Sequence, residues 1–130
     1  GYYSDHAKQE GIPFLAQIDI PDNFLGDEMD ICLVLSNLLE NAIEASLKTE
    51  DSRRKIVIKM YLHHTHILLI QAENNFDAKI LEKNGVFQST KHSGNGIGIQ
   101  SIRHITERNG GASSFTYKDG EFMAKIMIRI

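Results

Sequence analysis

Two asparagines one helical turn apart, and a short run of glycines, are the residues whose types and spacing could do chemistry. Asn37 and Asn41 lie within Ile31–Ser46, ICLVLSNLLENAIEAS. At about 100° per residue, Ile31, Leu35, Leu38, Leu39, Ala42 and Ala45 of that stretch fall in one apolar arc. The two amides then stack on a different face, with Glu44 beside them. Amides favour caps and turns over helix interiors, so this pair is either a solvated face or a site. As a site, two amide oxygens one turn apart suit a hard cation or a phosphate-bearing ligand. Gly94-Asn95-Gly96-Ile97-Gly98 stands at the start of a second helical pattern. Glycine lets a ligand approach the backbone without a Cβ in the way, and the free N–H groups of a first turn attract anions. Lys91, just upstream, adds a mobile positive charge. No Gly-Lys-Ser/Thr follows, so the run is not a P-loop, and no parallel βαβ pattern surrounds it to make a dinucleotide fingerprint.

The elements that must position these residues are legible in outline. Ser4–Glu10 reads as the tail of a helix ending at Gly11, and Pro13–Ile20 alternates as a half-buried strand with Phe14, Ala16, Ile18 and Ile20 on one side. Asp27 is a candidate N-cap for the asparagine helix. Lys55–Leu62 and His66–Glu73 form an antiparallel pair, and a short helix is possible at Ala78–Lys83. Ser89–Asn95 is small, polar and lid-like. Gly96–Arg108 follows as a helix with Ile99, Ile102 and Ile105 or Thr106 inward, stopped by Asn109-Gly110-Gly111. Ser113–Tyr117 and Glu121–Ile130 flank Asp119-Gly120, a two-residue hairpin signal. Strands arrive mostly in hairpins, which predicts a two-layer α/β sandwich: a mixed, mostly antiparallel sheet with helices on one face.

At 130 residues, with 42% apolar and 24% charged residues, the chain fits one soluble globular domain. A net charge of −3 and the lack of a basic cluster beyond Arg53-Arg54-Lys55 exclude a nucleic-acid binder. Cys32 is the sole cysteine, which rules out a disulfide framework and suits a reducing compartment. His63, His64 and His66 sit in a hairpin turn without a neighbouring acidic ligand. No apolar run approaches the roughly 18 residues of a membrane span. The abrupt polar start at Gly1 reads as a piece cut from something longer, with residues 1–10 an upstream tail or linker and 11–130 the domain proper.

An asparagine helix, two strands, a polar lid and a glycine-rich helix start, in that order, resemble the ATP-binding catalytic domain of sensor histidine kinases. That family shares the Bergerat ATP-binding fold with gyrase-type topoisomerases, the heat-shock chaperone ATPase and mismatch-repair ATPases. Asn37-Leu38-Leu39-Glu40-Asn41-Ala42 matches its N box. Ser89-Thr90-Lys91, followed by Gly94, Gly96 and Gly98, matches its G2 box and the lid before it. The subgroup that senses quorum-sensing peptides looks closest.

The resemblance implies that Asn41 holds Mg²⁺, with Asn37 supporting the metal or the triphosphate of ATP. It implies that Gly94, Asn95, Gly96, Ile97 and Gly98, with Ser89 and Thr90, cradle phosphates, and that Lys91 neutralises the γ-phosphate side. Ile43 and Ile80 are candidates for an adenine slot or plain core. The family's G1 aspartate, which accepts a hydrogen bond from the adenine amino group, is replaced here by Asn74, an uncharged acceptor about half as strong. Glu44, where many members carry Lys, is expected to face away or reach Mg²⁺ through water. The implied partners are the kinase's own upstream domain bearing the phosphoacceptor histidine, within a homodimer, and a response regulator. The implied setting is the cytoplasmic side of a membrane-anchored bacterial sensor, with no direct membrane contact by this part. Rival readings are an anti-sigma-factor-type serine kinase, a nucleotide-binding-deficient pseudokinase, and a gyrase-like ATPase. The last would place a general-base Glu where Asn37 stands.

Overall fold

The computed structural model describes residues 2–20, 28–64, 66–75 and 93–130. In chain order the elements are α1 (Tyr2–Gln9), β1 (Phe14–Asp19), α2 (Glu28–Leu47), β2 (Ile56–His63), β3 (Ile67–Asn75), α3 (Ser93–Arg108), β4 (Ala112–Lys118) and β5 (Glu121–Arg129). The sheet runs β1-β2-β3-β5-β4. Only β1–β2 is a parallel pair; the other three ladders are antiparallel. The expected two-layer α/β sandwich is what forms, and α2 and α3 pack side by side on one sheet face.

Strand parity decides which side chains meet the helices. Ile56, Ile58 and Met60 of β2, Leu68, Ile70 and Ala72 of β3, and Ala124, Ile126 and Ile128 of β5 all face inward and are buried. From α2 they meet Ile31, Val34, Leu38, Leu39, Ala42 and Ile43. The buried face of α2 is wider than the predicted arc: Leu35 and Ala45 are only half-buried, while Val34, Ile43 and Ser46 are buried. A helix flanked by a sheet below and a helix alongside buries more than one stripe. On α3 the buried set is Ile99, Ile102, Ile105 and Thr106, as the spacing predicts.

The β1 expectation needs correction. Apart from the half-buried Phe14, its residues are exposed, Leu15 by 52% and Ile18 by 58%. It is the edge strand, beyond the cover of α2, so alternation in its sequence does not translate into burial. Its parallel pairing makes β1–α2–β2 a single βαβ crossover, the parallel part of the expected mixed sheet. On α1, Ala7 is fully buried in the common core, and Gly11 ends the helix at φ +71°.

Local chemistry fixes the connections. The α3 stop is a Schellman turn: Gly110 takes φ +70°, its N–H bonds the Glu107 carbonyl at 3.0 Å, and the Gly111 N–H bonds the Thr106 carbonyl at 2.8 Å. Asp119 and Gly120, at φ 53° and 79°, make the left-handed pair that a tight β4–β5 hairpin requires. At the end of α2, Arg54 donates to the Leu47 and Thr49 carbonyls at 3.1 and 3.0 Å, a cation on the negative end of the helix.

Candidate functional site

Asn37 and Asn41 are half-buried, on the same side of α2. Asn37 lines a groove of about 530 Å³ between α2 and α3, with Leu33 on its own helix and Gln100, Ser101, His104 and Arg108 opposite. The helices run antiparallel. Near the start of α2, Asp30 takes hydrogen bonds from Arg108 Nη2 at 2.6 Å and from Asn109 Nδ2 at 2.8 Å, at the far end of α3. Eleven residues of helix advance about 16 Å. Counting eleven forward from Asp30 reaches Asn41, and eleven back from Arg108 reaches Ile97. Asn41 therefore stands level with the first turns of α3, and Asn37 one turn further along it, beside Ser101.

That beginning differs from the expected one. α3 starts at Ser93, so Gly94, Asn95, Gly96, Ile97 and Gly98 all lie in helical backbone. Glycine in a helix costs about 1 kcal/mol relative to Ala, and three within two turns need a reason other than stability. An open first turn, with N–H groups unshielded by side chains, is such a reason. Ser89, Thr90 and Lys91, the Ala78–Lys83 segment, Ile80 and Asp27 lie outside the described residues.

Asn74 is buried and faces the layer between sheet and helices, in line with Leu68, Ile70 and Ala72. Its Nδ2 donates to the Asn75 carbonyl at 3.0 Å, which leaves the side-chain oxygen as its accepting end. The strand end is tied to α2: Thr49 Oγ1 reaches the Ala45 carbonyl at 2.9 Å and the Asn75 carbonyl at 3.4 Å, and Asn75 Nδ2 donates to the Arg53 carbonyl. Ser46, on the buried face of α2, keeps its Oγ inside without a hydrogen-bond partner among the described residues. A buried hydroxyl with nothing to bond is costly unless a ligand or water meets it. Ile43 is plain core, and Glu44 is exposed.

The sequence reading missed the Asp30–Arg108–Asn109 cluster, whose members are 78 and 79 residues apart and carry no mutual signal. It also passed over Ser46, detectable as a polar residue four past Ala42 on an apolar face. Among the described residues no group of His, Cys, Asp and Glu is placed to hold a metal.

The Asp30 cluster makes stability pH-dependent. The Asn109 hydrogen bond, the largest influence, holds the Asp30 carboxyl below its ordinary value; burial, the next largest, opposes it, and the Arg108 hydrogen bond and charge add to the lowering. A depressed carboxylate stabilises the fold above its unfolded value of about 4, and that contribution disappears as pH falls through the folded value. Asp30→Asn is expected to lower the urea midpoint at pH 7 and to converge on the parent as the pH drops below about 4. A deficit that persists unchanged in acid would show that the charge is not what holds the helix ends together.

This fold and this layer define a class. Residues 27–129 match the GHKL domain family model, and the chain belongs to that family. The relatives it matches include histidine kinases. The chain is 27% identical to the signal transduction histidine-protein kinase BarA of Escherichia coli, over 87% of this chain but 13% of that protein's length. Its fold matches the catalytic domain of the histidine kinase ThkA with a TM-score of 0.72 at 25% identity, covering 98% of this chain and 85% of that one. The Acinetobacter baumannii histidine kinase AdeS matches with a TM-score of 0.67 at 16% identity, over 98% and 59% of the two chains. The sensor-kinase resemblance read from the N and G2 boxes thus holds at the level of family and fold.

Proposed function

We propose that this chain is the catalytic domain of a two-component sensor histidine kinase. It binds Mg-ATP and hands the γ-phosphate to a histidine of a dimerisation domain N-terminal to it. What supports this reading is the packing of α2, which carries the amide pair, against α3, which carries the glycines, over a layer where Asn74 is buried and the Ser46 hydroxyl has no partner among the described residues. Adenine sits at the Asn74 end, where an amide oxygen accepts from its amino group. The triphosphate runs toward Asn37, Asn41 and the glycine turn, and Ser89, Thr90 and Lys91 are its further expected contacts.

The donor set fits Mg²⁺: one or two amide oxygens leave positions for waters and phosphate oxygens, which this ion prefers. Asn41 would hold it with Asn37 in support, and when bound the ion neutralises charge between the phosphates. The chain's own groups position the γ-phosphate and offset its charge, which is most of what phosphoryl transfer asks of a protein. The bond from the γ-phosphorus to the bridging oxygen breaks and a bond to imidazole nitrogen forms, with ADP leaving. The response regulator receives the phosphate next, and the whole kinase works as a homodimer at the cytoplasmic face of a bacterial membrane. No helix among the described residues is long and apolar enough to cross that membrane.

The test mixes this chain with a separately expressed upstream region containing the acceptor histidine and labelled ATP. Acid-labile phosphate on that region is the expected result. Asn74 in place of Asp motivates a second reading, a pseudokinase that keeps the fold for contacts alone. Calorimetry separates the two: no heat at millimolar Mg-ATP and no transferred phosphate would favour the pseudokinase.

A further inference from the structure

The sheet face turned away from α2 and α3 carries a feature the nucleotide reading does not use. An antiparallel sheet with one solvated face ordinarily shows polar residues there. Here Tyr61 of β2 stands opposite Leu69 of β3, and Leu69 opposite Met127 of β5, a continuous apolar row across three strands. Tyr61 and Met127 are 40% and 39% exposed. A hollow of about 300 Å³ opens beside the row, lined by Tyr61, Leu69, Gln71, Lys125 and Met127. An exposed apolar patch rimmed by polar residues marks an interaction site.

The rim names the partner's charge. Lys59 and Lys125 flank Gln71 in the next row, and Arg129 stands on the other side opposite Ile67. The chain as a whole is acidic, at −3, so a cationic frame on this face runs against the average. Of the nearby carboxylates, Glu73 accepts a hydrogen bond from Gln71 at 2.6 Å, and Asp19 lies out at the β1 edge in register with Tyr61. Strands about 4.8 Å apart space the three apolar groups much as i and i+4 side chains are spaced on a helix.

We propose that this face docks an amphipathic helix of a partner protein, one whose apolar stripe is bordered by Asp and Glu. The helix lies across β2, β3 and β5, sets its stripe on Tyr61, Leu69 and Met127, and places its carboxylates against Lys59, Lys125 and Arg129. The nucleotide layer is on the opposite side of the sheet, so the two sites are filled independently. A membrane is the poorer occupant, because three cations on a net-acidic chain give weak adsorption to anionic lipid.

The probe is a labelled synthetic helix of about 18 residues, five turns, with a Leu stripe bordered by Glu; its control carries Lys for each Glu. Fluorescence anisotropy on the chain is expected to show binding of the Glu helix only. Affinity should fall at least about tenfold with Lys125→Glu, and again with Tyr61→Ser, at positions exposed enough to keep the fold. Raising salt from about 50 to about 500 mM should weaken binding as screening grows, while nucleotide binding stays unchanged in both variants. Equal binding of the Lys helix, or indifference to Lys125→Glu, overturns the proposal. So does sedimentation showing a dimer that Lys125→Glu dissociates, which makes a second copy the occupant. Capture on phosphatidylserine vesicles but not on the Glu helix overturns it in favour of a membrane.

Discussion

Replacing Asn41 with alanine is expected to lower phosphate transfer to an added acceptor-histidine region by about 100-fold or more, while leaving the fold as stable as before or slightly more so. The two halves of that expectation have different sources. Loss of one preorganised polar group that faces developing charge costs on the order of 10²–10³ in rate. Stability should move the other way, because Ala outranks Asn in helix propensity by roughly 0.5–0.7 kcal/mol and Asn41 is only half-buried. Opposite signs are what a functional residue in a structurally poor position produces. Asn37→Ala should show a smaller loss, about tenfold, since Asn37 supports the phosphates from further along the groove. Glu44→Gln is the control: exposed and on the same stripe, it should transfer phosphate at the parent rate. If Asn41→Ala keeps full transfer, or loses it only because the chain unfolds, the amide pair is ordinary surface and the kinase reading fails with it.

What the sequence made legible follows from how local each signal was. The Asp119-Gly120 hairpin, the Asn109-Gly110-Gly111 stop and the inward face of α3 are written within a few residues, and all three stand as read. Asn74 is singled out by the family resemblance alone, and the strand places it on the buried side with Leu68 and Ile70. Edge position and parallel pairing, by contrast, depend on which strand α2 returns to, so β1 looked half-buried when it is mostly exposed. The start of α3 was expected at Gly96 because Ser89–Asn95 is small, polar and lid-like, yet helical backbone begins at Ser93. The Asp30 contacts that align the two helices join opposite ends of the domain and leave no periodic trace. Charge, caps and periodicity pointed to the amide pair and the glycine run separately. That they join into one pocket is what the family resemblance implies, and the antiparallel run of α2 beside α3 supports it.

Gly111 is expected to be the least replaceable glycine among the described residues, and not for the reason its position suggests. Sequence reasoning would choose Gly110, the left-handed residue of the α3 stop, at φ +70°. An alanine there meets only Arg129 Cβ and Cδ at 3.8 Å, ordinary contact, so its cost is the left-handed backbone alone, about 1–2 kcal/mol. A Cβ on Gly111 would sit 1.8 Å from the Met127 carbonyl oxygen, 2.8 Å from its carbon and 3.1 Å from Ile128 Cα. All three atoms are backbone of β5, so no rotamer change relieves the overlap. Relief requires moving β5 away from the point where Met127 pairs Ala112, or pulling Gly111 off its bond to the Thr106 carbonyl. β5 cannot shift freely, because β3 holds it along its whole length on the other side. Gly111→Ala should therefore cost about 3 kcal/mol or more, a large share of the 5–15 kcal/mol that holds a typical domain together. Urea titration of the Gly110→Ala and Gly111→Ala variants should place the second midpoint well below the first, and Gly111→Val should fail to fold. Equal midpoints would mean that the close passage of α3's exit over β5 is looser than its backbone contacts require.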